Sequence, residues 1–269
     1  MGVNIVIVVQ ARMSSSRLPG KVLMPILGET LLSRMIERLQ MIKHPAQIVI
    51  ATSEEESDNV IEQEALKINI PCYRGNLNNL LDRHYQAAKK FNADIVLKIP
   101  SDCPLIDPRI IDTVLDFYFS NESEYDYVGN LHPATFPDGN DVEIMTIGCI
   151  EKAWKEAERP LELEHTTPYI WENPEKFRIG NVAWDTGLDY SMSHRFTIDY
   201  VADYQFIKRV FEELYPKKAD FSCNDILDLL DQQPEIYQLN AQYAGVNWYR
   251  NHLNELKTIS SEQTKLTFG

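Results

Sequence analysis

The chain has 269 residues, 44% of them apolar and 25% charged, which is enough to bury a substantial core in one large soluble domain. A formal net charge of −14 excludes a general nucleic-acid or membrane-surface binder, since either needs a broad basic face. It leaves room for a small anionic ligand, which responds to local charge.

The first element is the apolar run Ile5–Val9, a buried strand, and helix spacing begins near Thr30 with Leu32, Met35, Ile36 and Leu39 on one face of Leu31–Gln40. Gln47–Ala51 follows as a strand, Ser57–Leu66 as a helix, Pro71–Tyr73 as a short strand and Leu80–Phe91 as a helix. Ile95–Ile99 is a fourth strand, and a helix starts at about Pro108, with Asp107 as its N-cap. This alternation predicts an α/β fold with a mostly parallel sheet between helices, whose ligands sit beyond the carboxyl ends of the strands.

From residue 125 onward the pattern is less regular. Strands are expected at Tyr127–Asn130, Val142–Thr146, Phe177–Val182 and Arg195–Ile198, and helices at Cys149–Glu158, Glu162–Trp171, Tyr204–Leu214 and Cys223–Asp231. Residues 1–254 are expected to form one domain and residues 255–269 a polar tail that frays. Cys72, Cys103, Cys149 and Cys223 are far apart and read as free thiols. No apolar run approaches the ~18–20 residues that cross a bilayer, and no signal-peptide pattern opens the chain, so a cytoplasmic location is expected.

The strongest chemical signal is Gln10-Ala-Arg-Met-Ser-Ser-Ser-Arg-Leu-Pro-Gly-Lys21, the loop leaving the first strand. It carries Arg12, Arg17 and Lys21, and no Asp or Glu precedes Glu29, so a cationic island sits in an acidic chain. Arginine forks and a lysine at such a strand end suit a nucleoside triphosphate. Ser14, Ser15 and Ser16 add hydroxyls and closely spaced N–H groups, and Pro19-Gly20 bends the chain so that Lys21 turns back toward the ligand. The loop is neither a Walker A motif nor a dinucleotide fingerprint.

Asp102, in Pro100-Ser-Asp-Cys-Pro104, is a hard oxygen donor at the end of the fourth strand and suits Mg²⁺ against a triphosphate. Asp199, in Thr197-Ile-Asp-Tyr-Val-Ala-Asp203, is a candidate second carboxylate, while Asp203 suits the first turn of a helix. The aromatics Tyr237, Tyr243, Trp248 and Tyr249 read as packing for the C-terminal segment, with oligomer contact as the lesser reading, and His132 shows no paired metal spacing.

Taken in order, QARMSSSRLPGK, LLDRHYQAA at 80–88, IPSDCPLID at 99–107, PDGNDVE at 137–143, EHTTPYI at 164–170 and TIDYVAD at 197–203 resemble one family. It is the spore-coat-polysaccharide branch of the acylneuraminate and CMP-Kdo synthetases. The resemblance spans about residues 4–214. It implies a nucleotide-diphospho-sugar transferase fold, transfer of CMP from CTP to an acidic sugar or phosphorylated acceptor, Mg²⁺ as cofactor and a homodimer.

Carried over residue by residue, it assigns Gln10, Ala11, Arg12, Ser14, Ser15, Arg17, Lys21, Arg83, Ser101 and Asp102 to the nucleotide. Arg17, Lys21 and Asp102 become catalytic, Asp102 and Asp199 metal ligands, and Asp141, Glu143 and His165 acceptor contacts. Where CMP-Kdo synthetases have roughly N-x-Q-G-D, this chain has Lys98-Ile-Pro-Ser-Asp102, which leaves the acceptor open. The rival readings are a glycosyltransferase using a preformed nucleotide sugar and a catalytically inactive nucleotide-binding protein.

Overall fold

The structure is a computed structural model that describes residues 2–266. Strand β1 (Ile5–Gln10) is followed by a small hairpin of β2 (Pro25–Ile26) and β3 (Glu29–Thr30), then α1 (Leu31–Leu39), β4 (Gln47–Ser53), α2 (Asn59–Lys67) and β5 (Cys72–Gly75). Next come α3 (Leu80–Lys90), β6 (Ile95–Pro100), α4 (Pro108–Ser120), β7 (Tyr127–Gly129), β8 (Glu143–Thr146) and α5 (Ile147–Glu156). The chain closes with α6 (Pro160–His165), α7 (Pro168–Trp171), β9 (Ile179–Asn181), α8 (Val201–Leu214), α9 (Cys223–Gln232) and α10 (Pro234–Gln238).

The main sheet has the order β5-β4-β1-β6-β8-β7-β9. All neighbours pair in parallel except β8, which runs against both β6 and β7. Side chains of β1 alternate between two cores, which is why its sequence is continuously apolar rather than alternating. Ile5, Ile7 and Val9 join residues of α1, α2, α4, α8 and α9 on one face, while Val6 and Val8 join residues of α3, α5, α6 and α7 on the other. The fold is the mostly parallel, helix-flanked sheet expected from the alternation of elements.

Local sequence sets the helix starts. Thr30 accepts the Ser33 N–H at 3.0 Å to open α1, and Asp107 accepts the Arg109 N–H at 3.0 Å ahead of Pro108 at the start of α4. With Asp107 committed to that cap, Asp102 is left for the cleft.

Three expectations are corrected. Arg195–Ile198 is not a strand: its amides serve loops, with Phe196 N–H donating to Asp138 O at 2.6 Å and Ile198 N–H to Asp102 O at 2.9 Å. The single helix expected over Glu162–Trp171 is split into α6 and α7, because Thr166 turns to φ 74° and Pro168 has no N–H to continue the ladder.

Of the tail expected to fray, residues 255–266 are packed, and residues 267–269 lie outside the described residues. Leu256 and Ile259 are buried in the second core, and Glu172 accepts the N–H groups of Lys257 and Thr258 at 2.7 and 2.8 Å. Polar composition hid these two apolar anchors. Among the described residues all four cysteines are free thiols, and no helix is long and apolar enough to cross a membrane.

Candidate active site

A cleft of about 550 Å³ opens where β1 and β6 end and β8 begins. Register fixes this edge, with Gln10 opposite Pro100 and Lys98 opposite Glu143. Loop 10–21 leaves β1 and folds on itself, the N–H groups of Ser15 and Gly20 both donating to Met13 O at 2.9 Å. Gly20 takes φ 71°, and a Cβ there would lie 3.1 Å from the Met13 methyl, so the turn calls for glycine. Lys21 follows in a single 3₁₀ turn with its ammonium returned to the cleft.

That ammonium lies between the two distant aspartates. Lys21 Nζ is 3.2 Å from Asp102 Oδ2, 3.0 Å from Asp199 Oδ1 and 2.6 Å from Ile198 O. Arg17 reaches Asp199 Oδ1 at 2.7 Å, and Arg195 reaches its Oδ2 at 3.0 Å. Burial pushes the Asp199 carboxyl up, but Lys21, Arg17 and Arg195 outweigh it and hold the group down to about 2. Lys21 is likewise raised: burial lowers it, and Asp102 and Asp199 more than compensate. Asp102 is the more open carboxylate, its side chain 34% exposed against 15% for Asp199.

Arg195 organises the floor. Besides Asp199 it holds Asp203 at 3.0 Å and Asp138 at 3.2 Å, and donates to Val246 O at 2.9 Å. Asp203, fully buried, accepts the N–H groups of Asp199 and Tyr200 at 2.8 and 2.9 Å in the first turn of α8. The loop carrying Asp138 is pressed onto this segment at Gly139, where φ is 105° and a Cβ would stand 2.7 Å from the Phe196 carbonyl carbon. No other residue fits there without moving backbone.

Gln10, Ala11, Arg12, Ser15, Arg83 and Ser101 also line the cleft. Ser14 does not: it is exposed and lies outside the lining, a correction with a simple cause, since the Met13-centred turn rotates it outward. Gln10 Oε1 and Arg83 Nε are buried without a hydrogen-bond partner, although Arg83 donates to Asn76 O at 3.1 Å. Burial, then the nearby Arg12, lowers the Arg83 guanidinium to about 10. Two orphaned polar atoms on side chains that line one cleft suit a polar ligand.

The cytidylyltransferase family model matches residues 6–256. The chain belongs to that family. It is 28% identical to the spore coat polysaccharide biosynthesis protein SpsF of Bacillus subtilis, over 86% of this chain and 96% of that protein. A cytidylyltransferase from Leptospira borgpetersenii superposes with a TM-score of 0.83 at 35% identity, covering 88% of this chain and 98% of that one. A CMP:2-keto-3-deoxy-manno-octonic acid synthetase complexed with CTP shares the fold, with a TM-score of 0.58 and 18% identity over 78% of this chain and all of its own, 100%.

The other half of this cytidylyltransferase's cleft holds Asp141, Glu143 and His165. Glu143 is buried in an ion pair with Lys98 and accepts from Tyr127 Oη at 2.7 Å. Burial raises its carboxyl and Lys98 overrules this, leaving it lowered. Asp141 accepts the Gly139 N–H at 3.3 Å, and burial, then Asp102, pushes it up to about 6. Burial and then Lys98 lower His165 to about 3, so it is neutral at physiological pH.

Sequence reasoning missed the aromatic side. His132, Trp171, Trp248 and Tyr249 all line the cleft. Trp248 stacks on His165 with centroids 3.8 Å apart and planes 10° apart, and His132 lies 4.4 Å from the Trp171 ring. The density of aromatics from Tyr237 to Tyr249 was the available signal, and it was spent on packing.

Proposed function

We propose that this cytidylyltransferase transfers CMP from CTP to a sugar or phosphorylated acceptor and releases pyrophosphate. One observation carries the reading: Arg17 and Lys21 from the first loop meet Asp102 and Asp199 at one point of the cleft. An acceptor oxygen attacks the α-phosphorus in line, and the bond to the bridging oxygen of pyrophosphate breaks. The work left to the protein is positioning and charge neutralisation. Arg12, Arg17 and Lys21 offset charge on the triphosphate and then on the leaving group. For a hydroxyl acceptor, Asp141 is a cleft carboxylate whose raised proton affinity suits it to take the proton, the other raised one, Asp138, being paired with Arg195.

Magnesium fits this donor set. Asp102 Oδ2 and Asp199 Oδ1 already flank a single cationic centre, the Lys21 ammonium, and both are hard oxygen ligands. Among the described residues no group of three or more His, Cys, Asp or Glu is arranged to hold a metal alone, so phosphate oxygens would complete the shell. When bound, the ion supplies Lewis-acid polarisation of the phosphates. The expected homodimer is read by sedimentation velocity, a single monomer boundary at working concentration counting against it.

The test is a pyrophosphate-release screen crossing four nucleoside triphosphates with neutral sugars, sugar acids and sugar phosphates, with and without Mg²⁺. Release is expected with CTP plus an acceptor, and Asp102→Asn should reduce it at least 100-fold while circular dichroism is unchanged. Release of nucleoside diphosphate from a nucleotide sugar would instead establish a glycosyltransferase. CTP binding with no turnover across the panel would leave a nucleotide-binding protein.

A further inference from the structure

The segment from Gly245 to Gln263 runs along the cleft and contributes Val246, Asn247, Trp248, Tyr249, Asn251 and His252 to its lining. It is tied down at both ends. Arg195, the hub beneath Asp199, donates to Val246 O at 2.9 Å, and Lys265 N–H donates to Gly245 O at 2.6 Å. Farther along, Arg159 donates to Glu255 O at 2.8 Å, and Glu172 accepts both the Lys257 and Thr258 amides. A strap fixed this firmly holds its rings in place.

Those rings form a wall. Trp248 lies flat on His165, Tyr249 stands 4.5 Å from Trp248, and His132 packs between Trp171 at 4.4 Å and Tyr249 at 6.0 Å. Both imidazoles are kept neutral by burial, so the wall brings no positive charge to a phosphate. Arg17, Lys21 and the orphaned Gln10 and Arg83 atoms belong to β1, the loop after it and α3, the end suited to the nucleotide, while the wall's own orphaned atom, His132 Nδ1, is on a neutral ring and suits a hydroxyl. Among the other polar groups of the lining, Asp141 and the paired Lys98 and Glu143 suit hydroxyls.

We propose that this strap determines acceptor specificity, with Trp248 and His165 forming the surface on which a sugar in its closed-ring form is held. A pyranose presents an apolar C–H face and a rim of hydroxyls, which matches an aromatic wall bordered by a few fixed polar groups. The inference rests on the cytidylyltransferase reading above and adds which end of the cleft takes the sugar and through what contact.

Saturation-transfer NMR on the full chain tests it. The probes are CTP with a mixture of N-acetylglucosamine, glucosamine, galacturonic acid and N-acetylneuraminic acid, presented to wild type, Trp248→Ala and Trp248→Phe. In wild type, ring protons of at least one sugar should receive saturation when CTP is bound. Trp248→Ala should cut that signal at least fivefold, Trp248→Phe should keep most of it, and the cytosine H5 and H6 signals should stay within twofold in all three. An undiminished sugar signal in Trp248→Ala, or no sugar signal in wild type, overturns the proposal. Loss of the cytosine signal in Trp248→Ala with a folded spectrum also overturns it, because the wall would then serve the base. Absence of cytosine signals from wild type is a different result, and it removes the nucleotide reading underneath.

Discussion

Replacing Arg195 by leucine tests whether the floor of the cleft is held as described. The side chain is buried, and its guanidinium serves Asp203, Asp199, Asp138 and the Val246 carbonyl. After its removal Asp203 keeps the Asp199 and Tyr200 amides and Asn240 Nδ2 at 3.0 Å, and Asp199 keeps Lys21 and Arg17. Asp138 loses its ion-pair partner inside the cleft floor. Burial pushes the Asp138 carboxyl well up, so the loss is that of an unsatisfied buried polar group, about 1–3 kcal/mol. At roughly 2–4 °C per kcal/mol for a domain of this class, Tm should fall by about 2–12 °C. Urea unfolding followed by circular dichroism measures the loss directly. Arg195→Lys restores charge without the fork and should recover part of the deficit. A loss below about 1 kcal/mol for Arg195→Leu would refute the view that this arginine binds the three carboxylates together.

Two further outcomes follow from the same network. Lys21→Ala removes a charge-assisted contact worth about 1.5–3 kcal/mol, so calorimetry should show CTP affinity about 10- to 100-fold weaker; unchanged affinity would remove Lys21 from the site. The metal-free protein should also show a two-part stability profile in pH. Asp141 is raised in the fold to about 6, so protonating it favours the folded state, and stability should rise by about 1 kcal/mol from pH 7 to 5. Asp199 is lowered from 3.8 to about 2, so its contribution of about 2 kcal/mol is present above pH 4 and fades as pH drops toward 2. Burial also pushes the neighbouring Asp138 well up, so Asp141→Asn should lessen the first part without abolishing it, and an unchanged slope in that variant would show that Asp138 or another group carries it.

The first half of the chain was legible because each strand is a short apolar run and each helix has an apolar stripe. Residues 125–200 were legible in part: the strands expected at Tyr127–Asn130, Val142–Thr146 and Phe177–Val182 are present as β7, β8 and β9, while the stretches between them bond to loops rather than to ladders. Arg195–Ile198 has the composition of a strand, yet its amides are taken by Asp138 and Asp102, and no pattern of side chains announces that. The cationic loop could be recognised from charge contrast alone. Its convergence with Asp102 and Asp199 could not, because nothing local links two loops so distant in sequence. The aromatic wall was hidden for a different reason. Trp and Tyr bury well anywhere, so their placement on a cleft rather than in a core is decided by where Glu172 and Arg195 anchor the segment that carries them.

One strand running against the rest has a lasting effect on what this scaffold can become. Since β8 is reversed, it presents its beginning to the working edge, and the connection feeding it from β7 empties straight into the cleft. That connection can lengthen, shorten or change chemistry while every parallel pairing around β1 keeps its register. Short of Asp138 and Gly139, which are pressed onto the Arg195 segment, its residues can vary together with the strap to admit a new partner molecule while Lys21 and the aspartates keep their grip on the other substrate.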